Sequence, residues 1–225
     1  MVTSKQAVTH PWPPRTSPPV THLLYLHGFR SSPLSAKAVA VARRMRECHP
    51  GVTWWCPQLP PSPAAAMDLV LRGTAGWPRE RMGVIGSSLG GFYATCVAEA
   101  TGCQAVLLNP AVHPERDLAR HIGEQTVWHD PQQHFFFEPR FVDELRALKP
   151  PTITRPANCF AIIAQGDEVL DWREMSERYA GAHVRLLDGG DHALSDFETS
   201  HLDEVLAFLG LEGPTAEPPG PADEP

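Results

Sequence analysis

The stretch Gly83-Val84-Ile85-Gly86-Ser87-Ser88-Leu89-Gly90-Gly91 decides how this chain folds. An apolar segment from Arg81 to Ile85 reads as a strand, and the residues from Gly91 through Ala100 read as a helix. Between them, Gly86, Ser88 and Gly90 match the G-x-S-x-G turn, which holds a serine on a strained backbone above a sheet. The flanking glycines let strand and helix approach closely. The Leu89 amide then lies at a helix N-terminus and points where an oxyanion would form. Ser87 is off the centre of the glycine pair, which makes Ser88 the candidate nucleophile. The plainer alternative is a strand-to-helix glycine turn with a capping serine.

The same alternation extends in both directions. Thr21–Leu26, Val52–Cys56, Ala105–Leu108, Cys159–Ala164 and Val184–Leu187 are short apolar runs that read as strands. Ser35–Cys48, Ala64–Leu71, Trp172–Tyr179 and Phe197–Leu209 carry apolar residues at helical spacing. Near-continuous apolar strands separated by helices predict an α/β fold, a mostly parallel sheet with helices on both faces. The one interruption is Ala111–Pro156, which reads as an insertion over the sheet edge, such as a lid. Within it, Phe141, Leu145 and Leu148 predict a helix over Arg140–Lys149.

Composition bounds the rest. The chain has 225 residues, 42% of them hydrophobic, which suits one folded domain and excludes wholesale disorder. With 19 basic against 26 acidic side chains, the net charge of −7 argues against nucleic-acid binding. No apolar run approaches the ~20 residues of a membrane helix, and no secretory signal follows Lys5. Five cysteines without a C-x-x-C pair predict reduced thiols and a cytoplasmic protein. Ten of the 24 prolines fall in residues 1–20 and 211–225, predicting two Pro-rich tails, the second acidic, around a body over 21–210. No paired Cys/His spacing and no G-x-G-x-x-G after a strand appear, so neither a metal nor another cofactor is expected.

A serine nucleophile needs a base, and the base an orienting acid. His192, in Gly189-Gly190-Asp191-His192-Ala193, follows the last strand and reaches the sheet edge that carries Ser88. His183 precedes its strand, and His27 comes before the serine and shapes a loop. For the acid, Asp167, Glu168 and Asp171 compete; Asp167 emerges immediately after its strand and is the first candidate. The loop His27-Gly28-Phe29-Arg30 follows the first strand, where a second oxyanion donor belongs, and offers the Phe29 amide.

Together these residues resemble the α/β-hydrolase superfamily. Within it, LYLHGFRSSPLSAKA (Leu24–Ala38), IGSSLGGFYAT (Ile85–Thr95), NPAV (Asn109–Val112), QGDEVLDW (Gln165–Trp172) and GGDHALSDFE (Gly189–Glu198) are similar to the small bacterial YqiA/YcfP-like esterases. The resemblance implies an esterase or thioesterase acting on small-molecule acyl esters, with acyl-CoA among the candidates. It implies Ser88 as nucleophile, His192 as base, Asp167 as acid, and Phe29 and Leu89 as oxyanion donors. Many superfamily members carry two further strands before the His-Gly strand. Here only about twenty Pro-rich residues precede it, which predicts a minimal six-stranded sheet of order 2-1-3-4-5-6.

Arg30, Asn109, Phe135 and Phe136 are the candidate substrate contacts. Arg30 and Lys37 suit an anionic leaving group, and His134-Phe135-Phe136-Phe137 an apolar acyl chain. Alternatively, these aromatics pin the insertion to the body. Rival readings are a serine peptidase or acyltransferase on the same scaffold, a non-catalytic ligand-binding protein of the same fold, and an interaction module using the Pro-rich tails.

Overall fold

The computed structural model describes residues 18–128 and 130–212, so most of both Pro-rich tails lies outside the described residues. The body is a six-stranded, wholly parallel sheet. Its strands are β1 (His22–Leu26), β2 (Thr53–Trp55), β3 (Met82–Ser87), β4 (Gln104–Leu108), β7 (Cys159–Ala164) and β8 (His183–Leu187). Their spatial order is β2-β1-β3-β4-β7-β8, with every neighbouring pair parallel. With the two strands of the insertion set aside, this is the 2-1-3-4-5-6 order expected from the sequence.

Side chains alternate between the two faces of the strands. Leu24, Leu26, Val84, Leu107 and Ile163 join one core layer; Leu23, Tyr25, Ile85, Leu108 and Ile162 join the other. The first layer packs under α2 (Pro63–Gly73), α3 (Leu89–Thr101), α5 (Pro139–Leu148) and α6 (Trp172–Arg178), through Met67, Val97, Leu145 and Met175. The second lies under α1 (Ala36–Cys48) and α7 (Leu202–Phe208), through Val41, Met45, Val205 and Leu206. Covered on both sides, the central strands read as continuous apolar runs, as burial on two faces requires.

Two differences from the sequence reading have local causes. The final helix does not run unbroken over Phe197–Leu209: Phe197–His201 forms a π-helical turn before α7. That wide turn still keeps Phe197 and Leu202 buried on the sheet. At the body's margins, Val20 and Leu211 are buried and pack into the second layer.

The insertion holds the helix expected near Arg140–Lys149, found as α5, and adds a short helix α4 (Pro114–Asp117). It also contains an antiparallel hairpin, β5 (Gly123–Val127) with β6 (Asp130–Phe137), paired from Gly123↔Phe137 to Thr126↔His134. Leu145 on α5 is fully buried, and Glu144 accepts hydrogen bonds from Ser62 Oγ (2.7 Å) and the Ala64 amide (3.0 Å) at the start of α2. The insertion is therefore fastened to the body at its helical end.

Candidate active site

In a parallel sheet every strand ends at the same edge, and ligand sites form there, where the strand order reverses. Here the reversal falls between β1 and β3. The loops leaving these strands carry Phe29 and Ser88, and those leaving β7 and β8 carry Asp167 and His192.

Ser88 has φ 57° and ψ −120°, a conformation that non-glycine residues rarely adopt and that costs of order 1–3 kcal/mol. The surroundings hold it there. Its amide donates to the Leu108 carbonyl (3.0 Å), and its carbonyl accepts from the amides of Gly91 (2.9 Å) and Ala111 (3.0 Å). The flanking glycines are needed for contact. A Cβ at Gly90 would collide with the Leu26 carbonyl, and one at Gly86 with the Gly90 carbonyl.

The structure brings the three distant side chains together. Ser88 Oγ lies 3.0 Å from His192 Nε2, and His192 Nδ1 lies 2.8 Å from Asp167 Oδ2. A carboxylate only accepts, so Nδ1 carries the proton and Nε2 accepts from the serine hydroxyl. The Asp167 side chain is fully buried, and its Oδ1 accepts from the amides of Val169 and Leu170, both at 2.8 Å. The other two acidic candidates have different partners. Glu168 Oε2 accepts from the backbone amide of His192 at 3.0 Å, and Asp171 caps α6 by accepting from the Arg173 amide at 2.9 Å.

Leu89 is the first residue of α3, where a backbone amide has no partner within the helix. The turn carrying Phe29 presses on the serine: a Cβ on Gly28 would sit 3.3 Å from Ser88 Cβ and 3.8 Å from its Oγ. His27 is buried and supports this loop, accepting from the Leu59 amide (3.1 Å) through Nε2 while Nδ1 lies 3.0 Å from the Gly28 carbonyl.

A cavity of about 410 Å³ opens beside these residues. Phe29, Leu89, Tyr93, Leu69, Val127 and Phe135 form apolar wall, with Arg30, Gln58, Gln133 and His134 among the polar lining. A larger cavity of about 550 Å³, lined by Val112, His113, Lys149 and Arg178 among others, shares neither Phe29 nor Leu89 with the first.

The expected substrate contacts divide. Phe135 lines the cavity and meets the Phe29 ring edge-on at 5.8 Å. Phe136 points the other way along β6 and is 59% exposed, so it is not a cavity residue. Asn109 is fully buried and engaged with backbone, which leaves it no surface for a substrate. Arg30 lines the cavity, yet its Nε donates to the Thr126 carbonyl at 2.6 Å and its guanidinium stacks 4.2 Å over Trp128. Lys37 donates to the Ala193 carbonyl behind the His192 loop. Each cation thus donates to a backbone carbonyl of a distant segment rather than standing free for a leaving group. Trp128 is 70% exposed on the hairpin and serves as the platform for Arg30. Among the described residues, no group of three or more His, Cys, Asp or Glu side chains is placed to hold a metal ion, and no helix is long and apolar enough to cross a membrane.

A parallel sheet of this order with a strained serine turn after its third strand defines the α/β-hydrolase fold. Solved structures agree: the chain is similar to mouse alpha/beta hydrolase domain-containing protein 10 (17% identity, 84% of this chain and 87% of that one, TM-score 0.62). It is likewise similar to Est1E from Butyrivibrio proteoclasticus (15% identity, 85% and 87%, TM-score 0.61) and to the Pyrococcus furiosus esterase Pf2001 (17% identity, 84% and 82%, TM-score 0.56). The chain belongs to the uncharacterised protein family UPF0227, the YqiA/YcfP family, whose model matches residues 22–210.

Proposed function

We propose that this chain is a serine hydrolase that cleaves small-molecule carboxylic esters or acyl thioesters through a covalent acyl-enzyme. The observation that carries the reading is the unbroken relay of two hydrogen bonds from Ser88 Oγ through His192 to Asp167. The esterases among the structures of the same fold fit it.

Substrate enters the cavity with its acyl group against the apolar wall and its carbonyl carbon facing Ser88. His192 Nε2 takes the hydroxyl proton as Oγ attacks, and the new oxyanion accepts hydrogen bonds from the amides of Phe29 and Leu89. Buried Asp167 stabilises the imidazolium that results. His192 then hands its proton to the departing alcohol or thiol as the bond to the leaving group breaks. Water repeats the sequence on the acyl-enzyme: His192 removes its proton, the acid is released, and Ser88 regains its hydrogen. Preorganised amides cost no reorganisation during reaction, and loss of one such donor typically slows turnover ~10²–10³-fold.

The test is a hydrolysis panel of short and long p-nitrophenyl esters beside acyl-CoA thioesters, with Ser88→Ala as control. Turnover of at least one substrate that vanishes in Ser88→Ala supports the reading; equal activity in the variant refutes it.

A further inference from the structure

Asn109 is the residue whose role changes most between sequence and structure. It follows β4, the strand beside the one that leads into Ser88, and takes a positive φ of 42°. Asparagine tolerates this left-handed region better than most residues. Its side chain is fully buried, and both ends of the amide are used. Nδ2 donates to two consecutive carbonyls of the base loop, Asp191 (3.0 Å) and His192 (3.2 Å). Oδ1 accepts from the Ala164 amide at 2.8 Å, where β7 ends. The Ala164 carbonyl in turn accepts from the Asp167 amide at 3.3 Å. The strand before Asn109 holds the serine, because the Leu108 carbonyl accepts from the Ser88 amide. The buried amide therefore joins the segments that carry His192 and Asp167, and the strand it follows holds the segment that carries Ser88.

We infer that Asn109 is a positioning residue that sets His192 between Ser88 and Asp167 by clamping the His192 loop to the end of β7. The inference rests on the serine-hydrolase reading above. The base loop needs such a clamp. Gly189 and Gly190 have φ of 93° and 78°, and Leu194 one of 47°, so the loop departs from regular backbone on both sides of His192. Only an amide provides the pattern used here, two donor hydrogens toward carbonyls and one acceptor toward an N–H. Aspartate would keep the acceptor but would set a carboxylate against the Asp191 and His192 carbonyls. Glycine would keep the backbone conformation and remove the clamp. A displacement of about 1 Å in a reacting group typically costs ~10²-fold in rate.

The experiment compares wild type, Asn109→Asp, Asn109→Gly and Ser88→Ala in the full chain, measuring p-nitrophenyl ester hydrolysis, thermal unfolding and the hydrogen-bonded Nδ1–H proton of His192 by NMR. The clamp predicts that both Asn109 variants lose ~10²-fold in kcat with KM little changed, and that the His192 Nδ1–H signal is lost from protein that remains folded. Should Asn109→Asp fail to fold, Asn109→Gly carries the same comparison. Wild-type kcat in a folded Asn109 variant overturns the inference. So does a loss of activity that merely tracks the folded fraction while the Nδ1–H signal persists. Activity that survives in Ser88→Ala overturns the hydrolase reading itself, a result separate from either Asn109 outcome.

Discussion

Glu168 accepts the backbone amide of His192 at 3.0 Å, one residue along from the aspartate that holds the same histidine's ring. Adjacent carboxylates thus grip the histidine at two points, and only the one on the ring bears on its proton. Asp167→Asn should lower kcat by up to ~10⁴-fold, because an amide favours the wrong tautomer of His192. Glu168→Gln keeps an acceptor for the amide and should retain activity within a few-fold. Steady-state kinetics on the two purified variants decide it, and equal losses would show that the two carboxylates have not been told apart correctly.

A second consequence concerns the cavity. Phe135 forms part of its wall and Phe136 faces solvent from the next position of the strand. Phe135→Ala should raise KM for longer acyl esters more than for acetate esters, and Phe136→Ala should change neither. A chain-length series of p-nitrophenyl esters reads the contrast directly. The same response in both variants would place the acyl group elsewhere.

Lys37 gives a pH signature of stability. Burial pushes its ammonium down to about 8 from the usual 10.5, with Asp191 opposing the shift. Between those values the unfolded chain still holds a proton that the folded chain has released, so stability rises with pH across that window. Below pH 8 both states are charged and the cost of burying the ammonium is present in full. Lys37→Met should therefore flatten the rise, in urea titrations between pH 8 and 10, relative to wild type. Parallel pH dependences in the two proteins would contradict this.

The fastening of the insertion is equally open to measurement. Leu145 on α5 is fully buried against the body, so Leu145→Ala should cost about 2–5 kcal/mol of unfolding free energy. Denaturant titration reports it; a cost below 1 kcal/mol would mean that α5 contributes little to the core.

These residues also show why some of the molecule was legible beforehand and some was not. Ser88 sits in a turn whose sterics demand small residues at fixed offsets, and Gly86 and Gly90 write that demand into the sequence. His192 and Asp167 can be placed beside Ser88 from sequence because loops after parallel strands must emerge at one edge. The hairpin β5–β6 left no such mark. Its turn lacks the Asn-Gly or Asp-Gly pair that signals a hairpin, and the apolar run Phe135-Phe136-Phe137 hides its alternation because the exposed member is also aromatic. The clamp by Asn109 was beyond the same reading: its partners are backbone groups 55 to 83 residues away, and any residue type can offer a backbone carbonyl.

The most direct measurement is covalent capture of the nucleophile. Folded protein treated with a fluorophosphonate probe and mapped by peptide mass spectrometry should carry the adduct on Ser88, and the rate of labelling should collapse in His192→Ala. Folded wild-type protein that stays unlabelled, or that is modified at another residue with Ser88 untouched, would contradict the account.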